Sequence, residues 1–336
     1  MKENKAVVLW LLSGCLLILL MVIIGGVTRL THSGLSMVNW NLFMGAIPPI
    51  NEIQWQETFE LYKQSPEFKK INFNYTLSDF KSIFFWEYLH RLIGRVLGLV
   101  FIIPFIYFLI KKRLSKKLIL QSIVLFCLGA LQGAIGWWMV KSGLVERPDV
   151  SHYRLAVHLI TAFLTCCFTF WVALPLIISG KLKGNSTFLK YIKILFFMLL
   201  IQIIYGAFVA GLNAGIGFNT WPKMNGEWIP QAVYYLEPLW KNFIESPYGI
   251  QFVHRVLALI IVAFVIFIWI KAKKTELEEN QKSSLNLIIS LVIFQTILGI
   301  LTLVLKVPLS LALLHQLGAF FLLMSVVYSL FIFTKS

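Results

Sequence analysis

Eight apolar runs punctuate the chain, near residues 6–28, 84–110, 117–140, 154–179, 188–211, 248–270, 284–305 and 308–333. Each approaches or exceeds the length, about 20 residues, that an α-helix needs to cross the hydrocarbon core of a bilayer. Only Lys306, Val307 and Pro308 separate the last two runs, which predicts a tight hairpin. The polar connections are of two kinds. KKRLSKK (111–117), ISGKLKGNSTFLK (178–190) and KAKKTELEENQK (271–282) are rich in Lys and Arg, whereas 29–83, 141–153 and 212–247 are longer and hold most of the Trp, Pro and Asn. Basic residues in short loops mark the cytoplasmic side. The pattern therefore predicts eight transmembrane helices with both termini cytoplasmic and the long connections outside. MKENK and the run after it read as a retained first helix, because the run is long for a signal peptide and no A-x-A-like cleavage site follows.

The pattern also repeats. EYLHRLIGRVLGLVF aligns with QFVHRVLALIIVAF, and LQGAIGWWMV followed by SHYRLAVH aligns with FQTILGILTLV followed by LALLHQLGAF. GGVTRLTHSGLSMVNW aligns more loosely with FVAGLNAGIGFNTW. Four helices return the chain to its starting side, so the expected fold is an all-α membrane protein of two parallel-repeat four-helix bundles, residues 1–180 and 181–336.

Ionisable residues inside such runs change the picture, because they are costly in hydrocarbon and signal function. His90, His158, His254 and His315 each fall about two turns into an inward-running helix, which places four imidazoles roughly 10 Å below the outer surface. Two neutral imidazoles facing each other across a bundle suit the axial positions of a haem iron. Zinc asks for three or four ligands, and each half offers two histidines. Gly94, Gly98, Gly129, Gly133 and Gly136 give either room for a flat macrocycle or close helix packing. Arg91 and Arg255 follow two of the histidines and are candidates for haem propionates, with snorkelling to the interface as the competing role. His32 and His152 fit no pair and read as interfacial polar residues.

The halves differ at one acid. Glu87 precedes His90 by three residues and shares its helix face, while the repeat has Gln251 at the equivalent place before His254. A carboxylate beside a haem suits acid–base chemistry or stabilisation of positive charge; the alternative is that Glu87 only pairs with a neighbouring Arg. The asymmetry predicts a reacting haem in the N-terminal half and a resident one in the C-terminal half.

Composition agrees with a membrane protein and removes other classes. The chain of 336 residues is 58% hydrophobic and 13% charged, with mean hydropathy +0.79. Lys and Arg cluster in the short loops between the runs, so the net charge of +15 orients the protein and says nothing for nucleic acid. Cys15, Cys127, Cys166 and Cys167 all lie in apolar runs, where they read as small buried hydrophobes rather than disulfides or metal ligands.

The motifs GGVTRLTHSGLSM (25–37), EYLHR (87–91), QGAIGWWMVKSGL (132–144), RLAVHL (154–159), AGLNAGIGFNTWPKM (210–224), QFVHR (251–255) and LLHQ (313–316) resemble, in order and over nearly the whole chain, the haem A synthase family of cytochrome oxidase assembly enzymes. The similarity is greatest to the proteobacterial and mitochondrial branch. Other members carry a cysteine pair in the first outer loop; this chain has none there, which excludes a thiol-based role for that loop. The resemblance implies oxidation of the C8 methyl group of haem O to a formyl, giving haem A. It implies haem b held by His254 and His315, substrate haem at His90 and His158, and Glu87 as the catalytic acid residue. It further implies a cell inner membrane location, with haem O synthase (protohaem farnesyltransferase) and an electron carrier as partners, and leaves homo-oligomerisation open. Two other readings of the residues remain: a two-haem b-type electron-transfer cytochrome, and a transporter whose histidines relay protons.

Overall fold

In the computed structural model, residues 2–38, 47–145, 148–178, 180 and 182–334 are described; parts of the predicted connections at 39–46, 146–147, 179 and 181 lie outside them. Among the described residues ten α-helices follow in order: α1 (Lys2–Leu30), α2 (Glu52–Lys63), α3 (Pro66–Lys70), α4 (Leu77–Ile110), α5 (Lys116–Lys141), α6 (His152–Ile177), α7 (Ser186–Gly211), α8 (Pro247–Lys273), α9 (Glu279–Val304) and α10 (Leu309–Phe333). Eight of them are long and apolar enough to cross a membrane, matching the eight predicted runs. Among the described residues the only β-pairing is an isolated bridge between Met224 and Glu227.

Local chemistry sets where the spans begin. Side-chain oxygens of Ser115, Asn185 and Ser246 accept from the backbone N–H of Leu118, Phe188 and Gly249, satisfying donors that a helix start leaves bare. Pro247 adds a preset φ at the first position of α8. At the predicted hairpin, Lys306 N–H bonds Leu303 O and Val307 N–H bonds Thr302 O, so the last carbonyls of α9 are satisfied while the chain reverses into α10.

Two features depart from the sequence expectation. The first outer connection is not simply a loop, since it contains α2 and α3. And α4 starts at Leu77 rather than near residue 84, so His90 lies almost four turns into its helix instead of two. The reason is packing. With 34 residues α4 is about 51 Å long at 1.5 Å per residue, well beyond a hydrocarbon core of about 30 Å. Its extra turns carry Phe80, Ile83 and Phe84 into a buried cluster with Phe59 and Tyr62 of α2 and with Met37. Thr76 and Asp79 form a reciprocal capping box that fixes the new start.

Under this cluster Glu67 is 3% exposed. Tyr62 Oη donates to its Oε2 at 3.0 Å, and Asn72 Nδ2 donates in turn to Tyr62 Oη at 2.9 Å. Burial raises the Glu67 carboxyl to about 8; Tyr62 and Arg29 oppose the rise, and Glu87 and Asp149 add to it.

The chain divides into two compact units, Met1–Cys166 and Cys167–Ser336, with the boundary inside α6. In the first unit α1 packs on α4, α4 on α5, and α2 on α4. In the second, α7, α8, α9 and α10 close a ring of neighbours: α7 with α8, α8 with α9, α9 with α10, and α10 with α7. None of the four cysteines is in a disulfide, but only Cys166 and Cys167 are buried; Cys15 is half-buried and Cys127 is exposed, so the expectation of four buried thiols holds for two.

Because Glu67 prefers its proton in the folded state, the stability it contributes is full below the ordinary carboxyl range and is lost as pH rises through about 8. Amide-exchange protection of residues 52–70, corrected for intrinsic rates, is expected to fall between pH 5 and pH 9 in the parent protein. Glu67→Gln, which cannot ionise, is expected to flatten that dependence.

Candidate functional site

The helices present the four candidate histidines in a common setting. Each imidazole leans on a glycine of another helix: His90 on Gly25 of α1, His158 on Gly136 of α5, His254 on Gly206 of α7 and His315 on Gly299 of α9. A Cβ on these glycines would lie 3.1, 3.1, 3.3 and 2.8 Å from the Cε1 atom of the facing ring, so the absence of a side chain is what admits the imidazole. All four glycines precede the last residue of their helix (Leu30, Lys141, Gly211, Val304) by five positions. The fit is therefore one local design used four times.

Of the glycines singled out from sequence, Gly136 alone meets a histidine. Gly94 faces Met21 Cε at 3.4 Å, and a Cβ on Gly98, Gly129 or Gly133 would meet nothing within 4 Å, so those three are not tight helix contacts. Gly25, Gly206 and Gly299 were not anticipated. The repeat, which aligns Gly299 of FQTILG with Gly136 of LQGAIG, was the available signal.

In the second unit the His254 and His315 rings stand with centroids 6.5 Å apart and planes at 78°. This spacing leaves room for one ion between ring nitrogens at metal–imidazole bonds of about 2 Å each. His90 and His158 both belong to the first unit. No cluster of three or more metal-ligating side chains occurs among the described residues. The His254–His315 pair therefore suits an iron whose remaining positions a macrocycle fills.

Glutamines, not anticipated from the sequence, hold these histidines from one turn before the glycine. Gln132 Nε2 lies 3.0 Å from His158 Nδ1 and donates to His158 O at 2.8 Å. Gln202 Nε2 lies 3.2 Å from His254 Nδ1 and donates to His254 O at 3.1 Å. Gln295 donates to His315 O at 2.8 Å.

One turn before His90 and His254, the two halves clamp an outer loop in related ways. Glu87 is 3% exposed. Its Oε2 accepts from Ser36 Oγ at 2.7 Å and Met37 N at 2.9 Å, and its Oε1 accepts from Arg91. Arg91 also donates to Met37 O at 3.3 Å. On α8, Gln251 Nε2 donates to Ala214 O at 2.9 Å and Phe218 O at 3.2 Å. Arg255 donates to Phe218 O at 2.7 Å and Thr220 O at 2.9 Å. The arginines thus do the same work, while the acid meets loop donors and the amide meets loop acceptors. The pairing of Glu87 with Arg91 that was one reading of the acid is present. Arg255 Nε stays buried without a partner, a donor available to an anion such as a propionate.

His32 is exposed just after α1, with φ 51°, and its imidazole is held below the ordinary value by partial loss of water around the ring and by Arg29. His152 opens α6 beside Tyr153, ring centroids 3.9 Å apart. Neither lies with the histidine pairs.

A family model described as cytochrome oxidase assembly protein matches residues 8–327. A haem A synthase of Flavobacterium psychrophilum is 48% identical over the whole of both chains. One of Flavobacterium johnsoniae is 50% identical over 98% of each chain, and one of Nitrosospira multiformis is 45% identical over 95% of this chain and 91% of its own.

Gly299→Ala separates ring clearance from helix stability. Alanine favours a helix over glycine by about 1 kcal/mol, but its methyl would sit 2.8 Å from His315 Cε1 and turn the ring. Circular dichroism is expected to show undiminished helix, while haemin titration followed in the visible shows roughly tenfold weaker binding at His254–His315, the scale of a disturbed ligand orientation.

Proposed function

The chain belongs to the cytochrome oxidase assembly family, and from that premise we propose that it works as a haem A synthase, an oxidoreductase that converts the C8 methyl group of haem O to a formyl. The half-chains divide the work: residues 1–180 bind and oxidise haem O, and residues 181–336 keep a haem b. His90 and His158 hold the substrate iron, and His254 and His315 hold that of haem b. The residues fit the resident group: paired rings 6.5 Å apart, glycines that clear the ring edges, and a buried bare Nε on Arg255. When bound, haem b supplies a one-electron redox centre. Arg91 and Arg255 are the propionate partners.

The observation that carries the division is the replacement of Gln251 by an acid, Glu87, in otherwise parallel clamps. Converting a methyl carbon to a formyl brings in one oxygen atom and takes out four electrons: with water as the oxygen donor, R–CH3 and H2O give R–CHO, four protons and four electrons. Electrons leave to an electron carrier. Glu87 is placed to take a proton or to offset positive charge at the oxidised carbon, and Arg91, Ser36 and Met37 N fix where its oxygens point.

The surroundings follow from the same reading. The farnesyl tail of haem O lies toward lipid, where each methylene gains about 0.8 kcal/mol. The chain sits in the cell inner membrane with both termini cytoplasmic, receives haem O from haem O synthase, and assembles with copies of itself or acts alone.

Glu87→Gln and Ser36→Ala together test the role of the acid. A glutamine keeps one acceptor oxygen and turns the other into a donor facing Ser36 and Met37, so it loosens the loop as well as removing the charge. Ser36→Ala removes a loop bond and keeps the carboxylate. Glu87→Gln is expected to lower conversion of haem O by about 10²–10⁴-fold, with haem O or a hydroxymethyl product accumulating and haem b retained. Ser36→Ala is expected to lose no more than about tenfold. Equal losses in the two would make Glu87 a loop anchor only.

A further inference from the structure

The fourfold design has one exception. Three of the four glycines are preceded by one turn by a glutamine that bonds the facing histidine, Gln132 to His158, Gln202 to His254 and Gln295 to His315. The fourth glycine, Gly25, is preceded by Met21. Met21 occupies the same place, since its Cε is the nearest atom to a Cβ built on Gly94, one turn beyond His90. A thioether donates no hydrogen bond. His90 Nδ1 is accordingly buried without a partner. His315 Nδ1 is bare as well, but Gln295 holds the carbonyl of His315 and so fixes the turn that carries the ring.

We propose that Met21 is the residue that makes the N-terminal haem site exchangeable: it leaves His90 as the one unheld ligand of four, and His90 is the ligand that lets go. The inference rests on the reading of His90 and His158 as the substrate pair. A resident cofactor gains from two fixed ligands. A substrate that must enter and a product that must leave need one ligand free to turn away. Hydrogen bonds from outside the ligand set fix ring orientation, and losing one typically weakens metal binding by about 10–100-fold. His158, held by Gln132, keeps the iron in register; His90, which leans on Gly25 and has no partner at Nδ1, opens and closes. Met21 thus acts through His90 as a positioning residue.

The full-length protein in detergent, loaded with haem O, is mixed with excess apomyoglobin, and haem transfer is followed in the visible. The parent is expected to release one haem fast and retain the other. Met21→Gln is expected to slow the fast phase by about 10–100-fold and leave the slow phase unchanged, while Met21→Leu, of similar volume and equally without a donor, releases at the parental rate. The reverse exchange, Gln202→Met, is expected to quicken release of the resident haem by a similar factor, and it tests the idea even where Met21→Gln does not fold. Parental rates in both Met21→Gln and Gln202→Met overturn the proposal. His90→Ala tests the underlying assignment separately: a fast phase that survives it unchanged means that the exchanging haem is not bound at His90, and the reading of the substrate pair fails with it.

Discussion

An imidazole inside an apolar helix bundle must be given both space and a partner, and the rest of this structure is arranged around that requirement. Space comes from Gly25, Gly136, Gly206 and Gly299, whose missing side chains let the four ring edges approach a neighbouring backbone. A polar partner is supplied in part by glutamines on the same helices, at hydrogen-bond distances of 2.8 to 3.1 Å to the histidine carbonyls. Two ring nitrogens, His90 Nδ1 and His315 Nδ1, nevertheless stay buried without a hydrogen-bond partner. Burying such a group unpaired costs about 1–3 kcal/mol, and under the proposed function an iron takes one nitrogen of each ring.

The same helices hold the outer loops at the level of the site. Arg91 and Arg255 each reach a loop carbonyl, Met37 O and Phe218 O, and each has an acid or amide one turn earlier that bonds the same loop. The loop chemistry explains why the two positions are not interchangeable. Ser36 and Met37 offer an O–H and an N–H, which suit a carboxylate; Ala214 and Phe218 offer carbonyls, which suit an amide. The loop donors therefore give Glu87 a structural reason to be an acid, and a substitution there loosens the loop as well as removing the charge.

The spans were legible because each is a long apolar run bounded by basic loops. The histidines were legible because the repeat put them at matching places. Two classes of feature were not. The outer helices α2 and α3 are short and polar on one side, and the extension of α4 back to Leu77 depends on Phe80 and Phe84 meeting Phe59 and Tyr62, a contact between segments that local pattern does not reveal. Glu67 is hidden for the same reason. The glutamines stood inside quoted motifs, LQGAIGWWMV and FQTILGIL, yet a glutamine in an apolar run has no meaning until the helix that faces it is known. The recurring Gln-x-x-x-Gly spacing was readable, and so was its failure at Met21-x-x-x-Gly25.

Two similar histidine pairs are held to bind haem differently, one as cofactor and one as substrate. Extraction and chromatography of the haem carried by the purified protein tests this most directly. The expected result is close to one haem B per chain, together with a smaller and variable amount of haem O and haem A that disappears when His90 is replaced. Two equivalents of haem B and no modified haem would contradict it and would make the protein a two-haem electron-transfer cytochrome.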